Sequence, residues 1–481
     1  MKKNSLESFA PFAVEMKGIR KAFGGCVASR DIHLQVKAGS IHAIVGENGA
    51  GKSTAMKMLY GMLKPDAGEI WIRGEKRRWR SPQDAIRAGI GMVHQHFMLA
   101  GPYSVLENII LGDEPRLALG WIDRKAAREK LEALSARYKL TLPWDQEVAA
   151  LGVGMQQRIE IIKLLYRNAS ILILDEPTAV LTPQETAELF VQLRRLRDEG
   201  KTVLLITHKL KEVLELSDEV TVFRGGEVVG HRLTQNTNAD DLATLMVGRK
   251  VNLRAEVPPP PQLGEAVLQV PELGFEVRAG EIVGIAGVEG NGQSELLAGL
   301  PRGFAGFIPE DRHREGLLLD RPVSESFVLG HQRRKPYGHR FCGIWMLDRA
   351  AIETEYARAA EEYDIRPRSP QVNARDLSGG NQQKVIFARE MGLRGGKAPE
   401  LLVAAQPTRG VDVGAIELIH ARMIQVRNEG TGVLLVSSEL EEVMALSDRI
   451  LVIYGGKIVA RFARGEADEH KIGFYMGGGV A

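Results

Sequence analysis

The stretch VKAGSIHAIVGENGAGKST, residues 36–54, decides the fold. Its centre, IHAIV, is too apolar to leave one face in water and reads as a buried strand of a mostly parallel sheet. GENGAGKST follows at once and satisfies G-x-x-x-x-G-K-[ST], and KSTAMKMLYGML continues with helical spacing. Gly46, Gly49 and Gly51 let the backbone turn its N–H groups inward. With Glu47, Asn48, Ala50 and the helix start at Lys52, Ser53 and Thr54 they make a cradle for phosphate oxygens. Lys52 is expected to reach the β- and γ-phosphates and Ser53 to offer its hydroxyl to Mg²⁺.

Outward from this loop the chain repeats itself. VRAGEIVGIAGVEGNGQSE (277–295) echoes the opening stretch, and LSGGNQQKVIFAREM (377–391) echoes LGVGMQQRIEIIKLL (151–165). LLVAAQPTRGVD (401–412) echoes ILILDEPTAVLT (171–182), and residues 432–458 echo 202–228. Four matched blocks in one order, at a spacing far beyond any solenoid repeat, read as a duplication. Pro258 to Pro261 favour extended chain and mark the joint, giving domains 12–254 and 262–481. Each half alternates short apolar runs with amphipathic stretches. TPQETAELFVQLRRLRDEG predicts one such helix, capped by Thr182, with Pro183 first and Gly200 closing it. The fold class is therefore α/β, a parallel sheet covered on both faces in each half.

Bulk composition narrows the function. A length of 481 residues suits two or three domains. With 63 Lys and Arg against 61 Asp and Glu, the net charge of +2 offers no global basic field for nucleic acid. Cys26 and Cys342 cannot make a disulfide framework and read as small buried residues of a reducing compartment. Neither a secretory leader nor an apolar run long enough to span a bilayer is evident, so a cytoplasmic chain is expected, peripheral to a membrane if it works there.

ILILDEP places Asp175 and Glu176 at the end of a buried strand. Asp175 suits Mg²⁺ and Glu176 can orient or deprotonate an attacking water. His208 ends the next strand, TVLLITH, as a partner for the terminal phosphate. Gln95, in GMVHQHF, can touch both Mg²⁺ and water; its neighbours His94 and His96 lack nearby carboxylates or thiols that would make a metal site.

Phosphate loop, glutamine, signature, acidic strand and histidine, in this order and in both halves, resemble the ATP-binding-cassette (ABC) ATPases. The signature is LSGGNQQK (377–384). The resemblance implies two tandem cassettes, each a parallel core with an antiparallel β subdomain and a helical signature subdomain, binding ATP and Mg²⁺. It implies that cassettes pair head to tail, so that Ser378, Gly379, Gly380, Asn381 and Gln382 face a nucleotide held by the other half. It also puts Phe23 against adenine. The fused pair looks like the simple-sugar and nucleoside importer branch, and MVHQHFML and AAQPTRGVDVGA are similar to its nucleoside side. Membrane permease subunits and, indirectly, a solute-binding lipoprotein are then the partners. FMLAGPYSVLENIILG (97–112) is the expected docking surface.

The second half departs from the pattern. Gln293 stands for the loop lysine, Glu295 for Thr54, Ala405 and Gln406 for the acidic pair, Ser438 for the histidine and Glu310 for Gln95. Between loop and glutamine position it is 26 residues shorter, which predicts a trimmed antiparallel subdomain. The first half carries the poorer signature, LGVGM, with Gly152 in place of the serine. Intact parts would meet intact parts if the halves close on each other, leaving one hydrolytic site. A soluble twin-cassette ATPase acting on ribosomes or nucleic acid is the reading of another class; a long charged linker and basic patches would favour it. An ATP-binding regulator without turnover is a third, which the intact Glu176 disfavours.

Overall fold

A computed structural model describes residues 12–479 except 25, 96, 118–119, 180, 251–256, 261, 289, 301–304, 342–343, 393–398 and 412. The chain divides into two compact units, Met1–Leu181 with Glu185–Lys250, and Thr182–Gln184 with Val251–Ala481.

The first unit opens with β1 (Phe12–Phe23), β2 (Cys26–Lys37), β3 (Ile41–Gly46), α1 (Lys52–Leu59), β4 (Ala67–Ile72), β5 (Glu75–Arg77), α2 (Pro82–Arg87) and β6 (Ile90–Val93). It continues through α3 (Val105–Ile110), α4 (Arg124–Tyr138), α5 (Val153–Tyr166), β7 (Ile171–Asp175), α6 (Pro183–Asp198) and β8 (Thr202–Ile206). α7 (Leu210–Leu216), β9 (Glu219–Arg224), β10 (Glu227–Leu233) and α8 (Ala239–Val247) complete it. The six-stranded sheet runs β10-β9-β3-β8-β7-β6, parallel except for the β9–β10 hairpin. An antiparallel sheet runs β2-β1-β4-β5.

The fully apolar strands are explained by what covers them. Along β7, Leu172 and Leu174 pack with Leu131, Ile159 and Ile162 of the helical layer, whereas Ile171 and Ile173 pack with Val14, Met16 and Leu34 of the antiparallel sheet. Side chains alternate across a strand, so both faces are apolar because both are covered. Each such side chain contributes about 1.5–3 kcal/mol on burial. The helix predicted from Pro183 is α6, and Gly200 adopts φ +84° beyond its end.

The second unit repeats the plan with β11 (Ala266–Val270), β12 (Phe275–Arg278), β13 (Ile282–Ala286), α9 (Gln293–Gly299), β14 (Gly306–Ile308) and α10 (Val323–Phe327). β15 (Gly338–Phe341), β16 (Ile344–Leu347), α11 (Arg349–Glu362), α12 (Gly379–Gly392), β17 (Leu401–Ala405) and α13 (Val413–Asn428) follow. It closes with β18 (Gly432–Ser437), α14 (Leu440–Leu446), β19 (Arg449–Tyr454), β20 (Lys457–Ala463) and α15 (Glu469–Met476). Its main sheet, β14-β17-β18-β13-β19-β20, has the same strand order as the first, read from the other edge. The duplication read from four sequence blocks is thus a duplication of topology. The antiparallel layer is trimmed as expected, to the pair β11–β12 among the described residues.

The structure adds detail to the docking candidate and to the proline joint. The docking candidate 97–112 divides: Val105, Leu106, Ile109 and Ile110 are buried under α5, whereas Met98, Tyr103 and Leu111 are exposed. A capping box of Ser104 and Glu107 starts α3 there, and the apolar residues from Val105 to Ile110 belong to helix packing. At the proline joint, Arg427 donates to the Pro258 carbonyl at 3.0 Å and Arg464 to that of Val257 at 3.3 Å. Pro261, His96 and Cys342, and the side chain of Cys26, lie outside the described residues.

Candidate nucleotide site

β3 delivers the phosphate loop of the first unit. At Gly46, φ +155°, a Cβ would lie 2.3 Å from the Phe223 carbonyl oxygen, and at Gly51, φ +97°, 2.6 Å from that of Ala28. Only glycine fits either position without backbone movement. Gly49, φ +80°, faces open space, and Asn48 beside it is exposed, so the concave side of the loop is free to receive an anion. Ser53 and Thr54 sit half-buried in the first turn of α1 behind it.

Lys52 is the first residue of α1 and folds back over the loop. Its Nζ donates to the carbonyls of Gly46 (2.6 Å) and Glu47 (2.9 Å). Burial pulls its pKa down, opposed by Glu176, Asp175 and Glu47. Asp175, the last residue of β7, is buried; that burial and the neighbouring Glu176 charge raise its pKa, while Lys52, the Ser53 hydroxyl and Lys57 oppose the rise. A buried cation facing two acids is an arrangement awaiting further charge from both signs: a polyphosphate for the lysine, a divalent ion for the carboxylates.

Glu176 follows at φ +48°, a left-handed conformation that turns its side chain away from the strand direction. Gln95 Nε2 donates to one carboxylate oxygen (2.8 Å) and His208 Nδ1 bonds the other (3.0 Å). Burial pushes the Glu176 carboxyl up, but the His208 hydrogen bond and charge, with Lys52 and Lys209, outweigh it and hold the group below the usual carboxylate range. Gln95, Glu176, His208, Asp175, Ser53 and Lys52 therefore gather at the ends of neighbouring parallel strands β6, β7, β8 and β3. This is where ligands of such sheets bind. Ser53 hydroxyl, Asp175 carboxylate and the Gln95 amide are hard oxygen donors of the kind Mg²⁺ takes alongside water and phosphate. His94 instead packs edge-on against Tyr60, ring centroids 6.0 Å apart. Phe23 sits at the tip of the β1–β2 hairpin, half-exposed with Lys21 over its ring, outside the core.

The second unit keeps the loop geometry without the lysine, the acid pair or the histidine. Gly292 has φ +106°, and Gly456 N donates to the Asn291 carbonyl as Gly226 N does to that of Ala50. Gln293 donates to the Val288 carbonyl (2.9 Å) and accepts from Asn291 N (3.1 Å). Its neutral amide closes the loop on itself. Ser294 donates to Glu310 (3.0 Å) and Ser438 Oγ to Gln406 (3.0 Å), so two short polar pairs replace the Gln95–Glu176–His208 chain.

Ser378 precedes α12 and accepts from Asn381 Nδ2 (2.8 Å), while Asn381 Oδ1 accepts from Arg366 N (2.8 Å). A Cβ on Gly379 would meet the Gly410 carbonyl oxygen at 2.6 Å and the Arg312 guanidinium at 2.8 Å. Gln382 is buried, with its amide donating to the Ala374 carbonyl (2.9 Å) and accepting from Arg312 (3.3 Å) and His313 (3.0 Å). At the matching turn of the first unit, Gly152 precedes α5 and Val153 stands where Gly379 does. Arg312 and His313 were missed from sequence, although the charged run EDRHREG (310–316), which begins at the glutamine position, was a visible signal. Gln157, which ties α5 to the Pro177 carbonyl after the acidic pair (2.6 Å), was missed as well, although the paired glutamines recur in both signatures.

This fold and loop define a P-loop nucleoside triphosphatase with two cassettes. Residues 29–179 match the ABC transporter family. The chain is 46% identical over 507 residues to a guanosine import ATP-binding protein of Bacillus subtilis, covering 97% of this chain and 98% of that one. It is 42% identical over 509 residues to a nucleoside import ATP-binding protein of Lactococcus lactis, with 97% and 98% covered. A glucose import ATP-binding protein of Haloferax volcanii is 44% identical over 541 residues, with 98% and 96% covered. The chain belongs to the ATP-binding subunits of ABC import systems. It binds nucleotide, hydrolyses ATP and works with membrane permease subunits. No helix among the described residues is long and apolar enough to cross a membrane.

Proposed function

We propose that the chain powers nucleoside uptake from a single hydrolytic site, built on the phosphate loop of the first unit and completed by the serine-glycine turn of the second. The observation that carries the site is Lys52 folded over the loop opposite Asp175 and Glu176. Lys52 binds the β- and γ-phosphates, and the N–H groups of the loop hold their oxygens. Asp175, Ser53 and Gln95 would hold Mg²⁺, which neutralises charge on those oxygens. Glu176, kept ionised, accepts a proton from the attacking water, and His208 and Gln95 hold its carboxylate in line. Phe23 stacks on the adenine. Ser378 and the N–H groups of Gly379 and Gly380 stabilise charge on the departing phosphate, with Asn381 orienting Ser378 and Gln382 fixing the turn from inside its unit.

The pairing of defects supports the cross-completion. The intact turn lies in the unit whose loop is closed by Gln293, and the poor turn lies in the unit whose loop is intact. Closure of the two units on ATP, and their release after hydrolysis, would switch the permease subunits between two states. Phosphate release by the Glu176→Gln chain with ATP and Mg²⁺ tests the single hydrolytic site. Near-complete loss of turnover is expected, and half or more of the wild-type rate would overturn it.

The nucleoside reading rests on the guanosine and nucleoside import relatives and on the stretches around Gln95 and Gln406. The glucose import relative, of similar identity, favours a sugar as the second reading. Uptake of labelled guanosine and of labelled ribose and glucose, in cells deleted for this chain and complemented, separates them. Loss of guanosine uptake alone is expected; loss confined to sugar reverses the assignment. A solute-binding lipoprotein would deliver the solute to the permease, and the chain would sit on the cytoplasmic membrane face.

A further inference from the structure

Glu310 stands at the position of Gln95, and the sequence-level reading leaves it as one more defect. Its surroundings give the stretch 310–316 a different purpose. Asp311 accepts from the N–H groups of His313 (2.9 Å) and Arg314 (3.1 Å) and starts one turn of π-helix, Arg312–Gly316, a rare conformation that recurs at functional positions. This turn lies along one face of α12. Arg312 and His313 meet Gln382, a Cβ on Gly316 would touch Ile386 at 2.7 Å, and Arg389 donates to the Gly316 carbonyl at 2.7 Å. Gln382, Ile386 and Arg389 are spaced four and three residues apart, which is one helical stripe.

The contact at the first turn is the informative one. Arg312 Nη1 donates to the Arg409 carbonyl (2.6 Å) and Nη2 to that of Gly410 (3.3 Å), in the loop after the Ala405–Gln406 strand end, while Nε reaches Gln382 (3.3 Å). One planar guanidinium thus spans that loop and the helix start, and Gly379 lies against it with no room for a Cβ. The first unit is built otherwise. Phe97 occupies the position of Arg312 and packs into the helical core, and the anchoring contacts of its stretch fall further along α5, from Met98 N to Glu160 (3.0 Å) and from Lys163 to the Met98 carbonyl (3.1 Å). Gln156, the counterpart of Gln382, donates to the Leu151 carbonyl (2.9 Å) and, at 3.5 Å, to that of Val148, the counterpart of Ala374. The guanidinium brace occurs in the unit that has the intact serine-glycine turn.

We infer that Arg312 is a positioning residue for ATP hydrolysis: it clamps the Arg409–Gly410 loop to the first turn of α12 and so fixes Ser378 and Gly379, giving the stretch that has lost its glutamine a role in the hydrolytic site of the other unit. This rests on the cross-completed site proposed above. The guanidinium touches no reacting atom; its effect is on where the Ser378 hydroxyl and the Gly379 N–H stand.

Arg312→Ala, Arg312→Lys and Ser378→Ala in the full chain test it, read as kcat for phosphate release, as binding of a fluorescent ATP analogue to the Lys52 loop, and as Tm. Arg312→Ala should lower kcat roughly 10- to 100-fold, the cost of misplacing a group by a fraction of an ångström to an ångström, with analogue affinity unchanged. Millimolar guanidinium should restore part of that kcat, and none of the loss in Ser378→Ala. Arg312→Lys keeps the cation but cannot span three acceptors, and should lose most of the kcat at wild-type Tm. Unchanged kcat in Arg312→Ala beside an inactive Ser378→Ala overturns the role of Arg312 and leaves the cross-completed site standing. Full turnover in Ser378→Ala overturns that site itself. If Arg312→Ala fails to fold, full activity in Arg312→Lys overturns the inference.

Discussion

The two units share one strand order and one loop geometry, yet only the first has a lysine over the loop and an acid pair behind it. What separates them is a handful of side chains on a common frame. Lys52 and Gln293 both bond the carbonyl at the second position of the loop, so the frame needs a donor there but not a charge. Gln95, Glu176 and His208 form one connected chain, whereas Ser294–Glu310 and Gln406–Ser438 are separate pairs. The comparison teaches that the frame of a cassette stands without the lysine and the acid pair.

The sharpest way to break this contrast is to strip the same position in each unit. Lys52→Ala or Glu176→Gln should cut phosphate release roughly 10²–10⁴-fold, while Gln293→Ala and Gln406→Ala leave it near wild type; equal losses would erase the asymmetry. Next comes the serine-glycine turn. Ser378→Ala should cost about 10²-fold in kcat as a donor to developing charge, and Gly152→Ala nothing measurable; the reverse ranking would mean that the second loop is the working one.

The third test concerns stability. Arg197 pairs with Asp218 at 3.2 Å in a partly exposed setting, and Arg427 pairs with Asp448 at 3.1 Å with its side chain fully buried beneath the Pro258 carbonyl. Arg427→Ala removes one of the two guanidinium partners of the Asp448 carboxylate, Arg464 at 3.2 Å being the other, and should destabilise the second unit by about 1.5–3 kcal/mol. Arg197→Ala should cost under about 1 kcal/mol. Denaturant unfolding of both variants checks this, and a small loss at Arg427 would show that Arg464 alone satisfies Asp448. The smallest effect is at Phe23, whose counterpart the second unit lacks. Phe23→Ala should weaken ATP binding by about 1 kcal/mol, the worth of one aromatic stack. An unchanged affinity by titration would remove the ring from the site.

Much of this was legible because the decisive runs are local. IHAIVGENGAGKST shows its strand, its glycines and its cation in consecutive residues, and the repeated blocks carry the topology twice. The trimmed antiparallel layer followed from a count of missing residues. What stayed hidden depends on who packs against whom. The run 97–112 is apolar along its length, and only the structure separates Leu106 and Ile109, buried under α5, from the exposed Met98, Tyr103 and Leu111. β15 and β16 are exposed along nearly their whole length despite Phe341, Ile344 and Trp345, which no rule of apolar burial foretells. The Arg312 brace joins residues some 70 and 97 positions apart, beyond the reach of any local pattern.

Glu176 and Gln406 adopt φ +48° and +47°, each before a proline at the end of its strand. The same uncommon bend therefore stands where the side chain is a neutral amide. It belongs to the strand end and not to the acid. The second unit has in effect carried a glutamate-to-glutamine exchange for as long as it has had its present form, and its backbone has not moved to answer it. A stalled Glu176→Gln protein can accordingly be expected to keep an unaltered outline at residue 176, so that whatever state it accumulates reports on chemistry withheld and not on a turn rebuilt.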